Sequence, residues 1–192
     1  MSPRKYDMSR RSAAVEETRR RIVQATMELH NSQGILATSW EDIAKRADVA
    51  PATVYRHFPT LDDLLPACGE LSMNQLALPT LDEVETAFAG LRGRRARLRR
   101  LVDVVFGIYE RGAEVLAEMR RTHTQLAVVQ AYHGELEGLL DRIVAVALEP
   151  LAVPTDRARV VRALVDFDAW RALSERDLDA SAATVEIGRA HV

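Results

Sequence analysis

Apolar residues recur along most of this chain at intervals of three and four positions, the spacing of one face of an α-helix. Alternating runs of β-branched and polar residues, which are typical of strands, are almost absent. The first predicted helix covers residues 12–31 and ends before Gly34, a common stop residue. Its apolar stripe consists of Val15, Ile22, Ala25 and Leu29. The pattern predicts an all-α protein.

Two short helices are predicted next, with a tight turn between them. Ser39 can cap a helix that begins at residue 40, and Asp42 can reach back as an acidic variant of the capping box. Pro51 opens the following helix, which runs to His57, at the position where proline loses no hydrogen bond. The inner face predicted for the first of the two consists of Trp40, Ile43, Ala44 and Ala47.

Further helices, most of them longer, are predicted for the chain after residue 60. Thr60 and Asp63 repeat the cap signature ahead of a helix that ends near residue 76. Residues 186–192 are either a short final helix or a tail. The other predicted helices cover residues 82–91, 94–109, 113–122, 126–148 and 155–173, with a weaker one from residue 179.

Two of the late helices carry apolar stripes that suit a second copy of the chain. Pairs of such helices often dimerise, which is the preferred interpretation. The alternative is that they only close this chain's own bundle. The stripes consist of Val129, Tyr132, Leu136, Leu139, Ile143 and Val146, and of Val160, Val161, Leu164, Val165 and Phe167.

Charge and cysteine content narrow the class of protein. The 192 residues include 26 basic and 28 acidic side chains, so a nucleic-acid site has to be local. Residues 1–21 carry seven basic and three acidic side chains. The single cysteine, Cys68, excludes a disulfide framework and favours a cytoplasmic location. No signal peptide or membrane span is expected, because no apolar run approaches about 18 residues.

The second short helix concentrates hydrogen-bond donors on one side. Val54 and Phe58, four residues apart, can anchor its opposite face in a core. Three helices with a tight turn before the third match the helix-turn-helix unit, in which the third helix enters the major groove of DNA. The donor-bearing side chains are Thr53, Tyr55, Arg56 and His57.

Residues 43–58, IAKRADVAPATVYRHF, resemble the DNA-binding signature of TetR-family regulators. The resemblance covers residues 16–64 well, and the remainder agrees in helix count and order. Residues 166–173, DFDAWRAL, are a weaker match to a late helix of many members. The implied organisation is a basic flexible arm (1–11), a helix-turn-helix DNA-binding domain (12–59) and a helical ligand-binding and dimerisation domain (60–192).

The resemblance implies roles for particular residues. Ser39 caps the second helix and touches phosphate, while Thr53, Tyr55 and His57 contact the DNA backbone. Arg56 reads bases, since arginine can bond guanine in two places. The small apolar Pro51 and Ala52 suit a thymine methyl. The full predicted DNA-binding set is Ser39, Lys45, Pro51, Ala52, Thr53, Tyr55, Arg56 and His57.

Four positions depart from the family pattern. Asp48 replaces a usual glycine but tolerates a left-handed turn, and Pro51 fixes the helix start that Ala50, in place of serine, cannot cap. Ala52 stands where glycine is frequent. Leu61 replaces a lysine that commonly meets phosphate, which lowers the expected affinity. The arm around Arg4, Lys5, Arg10 and Arg11 either compensates for this loss or is a solvated tail.

As a mechanism, the resemblance implies a homodimer on a pseudo-palindromic operator, acting as a repressor that a small molecule releases. The hypothetical ligand pocket consists of Phe106, Tyr109, Met119, His123, Tyr132 and Trp170, although a core role suits each one singly.

Other signals are given a structural interpretation. The arginine-rich segment at residues 92–100 is expected to pair with Asp82, Glu83 and Glu85 on a solvated surface. His123 with His133 or Glu137 is too loosely spaced for a metal site. Cys68 is expected to be a small buried hydrophobic residue. No cofactor is expected. Two alternatives remain. An interaction module would lack salt-sensitive DNA retention, and an enzyme with an unrecognised pocket would keep its turnover in Tyr55→Ala.

Overall fold

A computed structural model of the protein describes residues 8–176 and Leu178. The described residues contain helices and no strands, so the all-α prediction is confirmed. The helices are α1 (Met8–Gln33), α2 (Trp40–Ala47), α3 (Pro51–His57), α4 (Leu61–Leu76), α5 (Leu81–Phe88), α6 (Arg94–Thr122), α7 (Ala127–Leu148), α8 (Thr155–Leu164) and α9 (Phe167–Ser174), with a 3-10 turn at Glu149–Leu151. The predicted helix from residue 179 and the ending at 186–192 lie outside the described residues.

The chain divides into two compact units, an N-terminal unit that ends at Ser72 and a C-terminal unit that begins at Met73. In the N-terminal unit, α1 packs against α2, and α2 packs against α3. The buried core of this unit consists of Ile22, Val23, Ala25, Ile43, Ala44, Ala47, Val54, Phe58, Leu64 and Cys68.

The predicted stripe of α1 is correct for Ile22 and Ala25 but wrong for Val15, whose surface is 44% exposed. The reason is length: α1 has 26 residues, whereas α2 and α3 have eight and seven. A helix rises about 1.5 Å per residue, so the short helices cannot cover the first turns of α1 within this unit.

Local signals at the helix ends are confirmed. Ser39 and Asp42 form a reciprocal capping box at the start of α2, and Thr60 and Asp63 exchange the same bonds before α4. Cys68 is buried as predicted, and burial raises the pKa of its thiol to about 12, so it stays protonated.

In the C-terminal unit, two predicted helix boundaries are wrong. Residues 94–122 form one helix, α6, with a kink at Gly112 instead of a break. A Cβ atom at Gly112 would lie 1.9 Å from Cδ2 of Leu76, so glycine allows this close approach. The single helix predicted over residues 155–173 is interrupted, and Asp166 caps the separate α9 by accepting a hydrogen bond from the backbone N–H of Asp168 (3.2 Å).

Much of the stripe on α7 is buried inside the C-terminal unit, where α7 packs against α5, α6 and α8. Val129, Leu136, Leu139 and Ile143 are buried, so these side chains close the chain's own bundle, which is the alternative raised from the sequence. On α8, by contrast, Val160 is 47% exposed. Across the described part of the chain, no helix combines the length and apolarity that a membrane crossing requires.

The structure overturns the ion pairs expected for the arginine-rich segment. Arg97 is buried and donates four hydrogen bonds to backbone oxygens, two in the last turn of α7, one at the last residue of α5 and one in the loop that follows α5. The acceptors are the carbonyls of Ala147 (2.7 Å), Val146 (2.5 Å), Leu91 (2.7 Å) and Phe88 (3.2 Å). The exposed members, which form no ion pair with a described acid, are Arg92, Arg94, Arg95, Arg99 and Arg100.

Candidate nucleic-acid interface

Helix α3 has one face in the core and one in solvent. Val54 and Phe58 are 0% and 1% exposed, which confirms their predicted role as anchors. Because they fix the rotation of a helix of only seven residues, the positions between them have to point outward. Pro51, Ala52, Tyr55 and Arg56 are exposed, and Thr53 and His57 are half-buried.

The turn between α2 and α3 depends on a left-handed residue, as the sequence predicts for Asp48 (φ 53°, ψ 54°). Ala50 provides no side-chain cap for α3, and Pro51 occupies the start of that helix. The guanidinium of Arg21 donates to the backbone oxygens of Ala47 and Asp48, the latter at 2.9 Å. Since the carbonyls at a helix end attract cations, Arg21 stabilises the turn that orients α3. Sequence reasoning counted it only as part of a basic segment.

Two cations of the predicted DNA-binding set are available for an external anion. Arg56 and Lys45 are exposed, and neither forms an ion pair with a described acid. By contrast, Arg46 on α2 forms an ion pair with Glu28. The Nε atom of Arg46 donates a hydrogen bond to Oε2 of Glu28 (2.7 Å). Arg56 therefore presents a guanidinium whose hydrogen-bond donors are free for a ligand.

Ser39 is engaged within its own helix cap. Its hydroxyl donates to Oδ2 of Asp42 (2.6 Å) and accepts from the backbone N–H of Asp42 (3.1 Å). The Ser39 hydroxyl and backbone N–H lower the pKa of the Asp42 carboxyl, so it is ionised at neutral pH. A phosphate contact by the Ser39 hydroxyl would require that bond to be given up, and this contact stays a prediction.

His57 is uncharged near neutral pH. Burial lowers the pKa of its ring, and the nearby cations Arg56 and Arg19 lower it further. A neutral imidazole has one N–H donor, which suits a hydrogen bond to a phosphate oxygen without adding charge to the free protein.

We expect acid to destabilise the N-terminal unit partly through His57. Its pKa in the folded chain lies below the ordinary value of 6.5, so the unfolded chain binds more protons and stability falls as the pH drops through 6.5 towards the folded-state pKa. His57→Gln should reduce the difference in unfolding midpoint between about pH 7.5 and about pH 5.5. An unchanged difference in the variant would contradict this assignment.

The predicted ligand-pocket residues are partly brought together. Phe106, Tyr109 and Trp170 are buried and form an aromatic cluster with Phe167, with ring centroids of Tyr109 and Trp170 5.8 Å apart. The Tyr109 hydroxyl donates to the backbone oxygen of Val165 (3.0 Å), and burial raises its pKa. Met119 is also buried, whereas Tyr132 and His123 are half-buried.

A cavity of about 620 Å³ in the C-terminal unit is lined by His123 and by Phe167 of the aromatic cluster. The ring of His123 stacks on His133, with centroids 4.3 Å apart and planes 14° apart. The other lining residues are Ala117, Arg120, Arg121, His133, Glu137, Asp166, Asp168 and Arg171.

In the sequence, His123, His133 and Glu137 are spaced too loosely to predict a metal site. The hairpin of α6 and α7 brings them together, because residues on either side of a short turn between antiparallel helices face each other. Within the part of the chain that is described, no group of three or more His, Cys, Asp or Glu side chains is arranged to hold a metal ion.

Comparison with known proteins bears on the same region of the chain. Residues 22–68, which include α2, α3 and the turn between them, match the family of bacterial regulatory proteins described as the tetR family. Over these residues the chain is similar to the DNA-binding region of TetR-family regulators. This confirms the resemblance that residues 43–58 carry.

Individual relatives are described as HTH-type transcription regulators. The HTH-type transcriptional regulator YvdT of Bacillus subtilis is 27% identical over 135 residues, 65% of this chain and 66% of YvdT. The HTH-type transcriptional repressor KstR of Mycobacterium tuberculosis is 44% identical over 54 residues, 28% of this chain and 24% of KstR. The chain thus spans slightly under two thirds of YvdT and about a quarter of KstR.

A solved structure extends the likeness in fold to the whole chain. The multidrug binding protein EbrR, in complex with imidazole, superposes with a TM-score of 0.62 at 23% identity, covering 99% of this chain and 97% of EbrR. The predicted all-α architecture, with an N-terminal helix-turn-helix unit and a helical C-terminal unit, is therefore confirmed. YvdT and KstR are both described as transcription regulators.

Proposed function

We propose that this protein is a sequence-specific DNA-binding regulator that represses transcription. The observation that carries the proposal is the outer face of α3, where Tyr55 and Arg56 stand in solvent while Val54 and Phe58 hold the helix in place. An exposed arginine without an ion pair to a described acid is suited to guanine, and hydroxyl and imidazole donors are suited to phosphate. KstR, which is 44% identical over 54 residues, is described as a transcriptional repressor.

The proposed DNA-binding domain is residues 12–59, preceded by the basic segment 1–11, which we propose contacts phosphates. The predicted flexible arm is too long, because α1 already begins at Met8. The proposed contacts are those of the predicted set: Arg56 with bases, Pro51 and Ala52 against thymine methyls, and Ser39, Lys45, Thr53, Tyr55 and His57 with the backbone. A DNA-binding regulator acts in the compartment that holds the DNA, and we propose a cytoplasmic location for this protein.

The proposed active form is a homodimer with two recognition helices about 34 Å apart, one turn of DNA. The remaining residues, 60–192, supply the dimerisation surface. Exposure of Val160 on α8 supports a role of that helix in the dimer, since burying an apolar side chain against a second copy removes it from water.

Release from DNA by a small molecule completes the proposal. The neighbourhood of Phe106, Tyr109, Met119, His123, Tyr132 and Trp170 is the proposed ligand site, with the cavity beside His123 as its entrance. EbrR, whose fold is similar, was solved with imidazole, which supports small-molecule binding by such a fold. A ligand can only weaken DNA binding to the extent that it prefers the released state.

Selection of genomic DNA fragments by the purified protein, at a low and a high salt concentration, tests the proposal. We expect enrichment of fragments that share one pseudo-palindrome and persist at high salt, because base contacts add affinity that salt does not remove. Tyr55→Ala, Arg56→Ala protein should lose this enrichment but keep its oligomeric state. Uniform retention that high salt abolishes would instead support an interaction module without an operator.

The ligand site is tested on the same operator. Compounds that release the wild-type protein from the operator should act more weakly on His123→Ala, which changes the lining of the cavity. The proposed pocket would be refuted if the same compound concentrations released the wild type, His123→Ala and variants at the other five positions from the operator.

A further inference from the structure

Trp40 occupies an unusual place on the DNA-binding surface of the N-terminal unit. It is the first residue of α2, directly after the cap residue Ser39. Its side chain is half-buried and packs against the core of that unit. The indole is thus partly held by the core and partly exposed.

The ring of Trp40 lies beside the ring of Tyr55 on α3. The two ring centroids are 5.2 Å apart and the ring planes are inclined by 36°. This separation lies within the range in which aromatic rings attract each other. Tyr55 is 45% exposed, and its hydroxyl forms no hydrogen bond with a described residue.

An exposed tyrosine without such a contact would sample several staggered side-chain conformations. A hydroxyl at the far end of a mobile ring has to be immobilised when it binds, and that ordering opposes binding. Contact with Trp40, which the core holds, restricts the Tyr55 ring before any ligand arrives. The hydroxyl is then pre-organised with its hydrogen-bonding capacity unused.

We propose that Trp40 is a positioning residue for DNA binding that holds the Tyr55 hydroxyl in place for a phosphate oxygen. The inference rests on the proposed function and deepens it. Trp40 acts through Tyr55, not through a contact of its own, and so its contribution depends on the presence of the Tyr55 hydroxyl.

A double-mutant cycle on the selected operator tests this dependence. The four proteins are the wild type, Trp40→Leu, Tyr55→Phe and the double variant, and the dissociation constant of each is measured at one salt concentration. We expect Trp40→Leu to weaken binding about tenfold when Tyr55 is present, the size of one hydrogen bond to a charged group. In the Tyr55→Phe background the same change should weaken binding less than about twofold.

Trp40→Phe is the matched control, since it keeps an aromatic ring beside Tyr55 and should bind within about threefold of the wild type. Thermal unfolding of each variant shows that the N-terminal unit is folded. If Trp40→Leu does not fold, Trp40→Met, which keeps much of the side-chain volume without a ring, replaces it in the cycle.

Equal losses from Trp40→Leu in both backgrounds would overturn the inference, because they would indicate a direct contact or a purely structural role. No loss in either background would also overturn it. If the wild type shows no sequence-specific binding, the proposed function fails and the inference falls with it. Specific binding with additive losses removes only the inference.

Discussion

Replacement of Arg56 by alanine is expected to remove most of the protein's preference for its operator over unrelated DNA. Arg56 is exposed on the outer face of α3 and forms no ion pair with a described acid. One arginine bonded to guanine in two places contributes roughly 1–3 kcal/mol of discrimination. Two recognition helices would double this to roughly 2–6 kcal/mol. The measurement is the ratio of dissociation constants for the operator and a scrambled fragment at fixed salt.

Arg46→Ala is the control for this experiment, since Arg46 is an exposed arginine on the neighbouring helix α2 that pairs with Glu28. It should leave the ratio nearly unchanged. If Arg56→Ala weakens binding to both fragments equally, Arg56 contacts phosphate and the assignment as a base reader is wrong.

Arg97→Met is expected to destabilise the C-terminal unit more than any change to its exposed arginines. The variant leaves two buried hydrogen bonds unmade, those to the carbonyls of Ala147 and Phe88. The carbonyl of Phe88 keeps a hydrogen bond from the backbone N–H of Leu91 (3.2 Å). The expected cost is therefore mainly that of one buried acceptor, the carbonyl of Ala147, losing its guanidinium donor, about 1–3 kcal/mol. It also removes a cation that lies 5.3 Å from the centroid of the Phe88 ring.

The matched control is Arg99→Met, two residues along the same helix at an exposed position. Unfolding in denaturant is followed by the fluorescence of Trp170 in a Trp40→Phe background, which leaves one tryptophan, within the C-terminal unit. We expect Arg99→Met to unfold within about 0.5 kcal/mol of the parent. Similar unfolding midpoints for the two variants would contradict the structural role of Arg97.

Features set by neighbouring residues could be predicted from the sequence. The cap of α2 needs only Ser39 and Asp42, three residues apart, and the start of α3 needs only Pro51. The anchors Val54 and Phe58 follow from one helical turn. The residues on the outer face of α3 could therefore be predicted from the sequence. What each of these side chains binds stays a proposal.

Features that depend on distant parts of the chain could not be predicted. Arg97 is charged and lies in an arginine-rich segment, so its sequence context favours solvent. The structure instead places it beside the ends of α5 and α7, with acceptors up to 50 residues away. The contact between Trp40 and Tyr55 likewise joins two helices, and helical periodicity carries no information about it.

The predicted positions of two helix breaks are wrong, and at both positions local and tertiary preferences compete. Glycine lowers helix stability, which favours a break at Gly112, but the structure has a kink there within one continuous helix, and Leu76 packs where a Cβ atom of residue 112 would lie. In residues 155–173, apolar periodicity favours continuity. The cap formed by Asp166 nevertheless starts a new helix there.

Footprinting of the most enriched genomic fragment tests the central claim most directly, namely that α3 reads an operator in two copies. We predict two protected half-sites about 34 Å apart, one turn of DNA, and loss of both in Tyr55→Ala, Arg56→Ala protein that still has the wild-type oligomeric state. Protection that spreads evenly along the fragment, or a footprint that survives in the double variant, would contradict the claim.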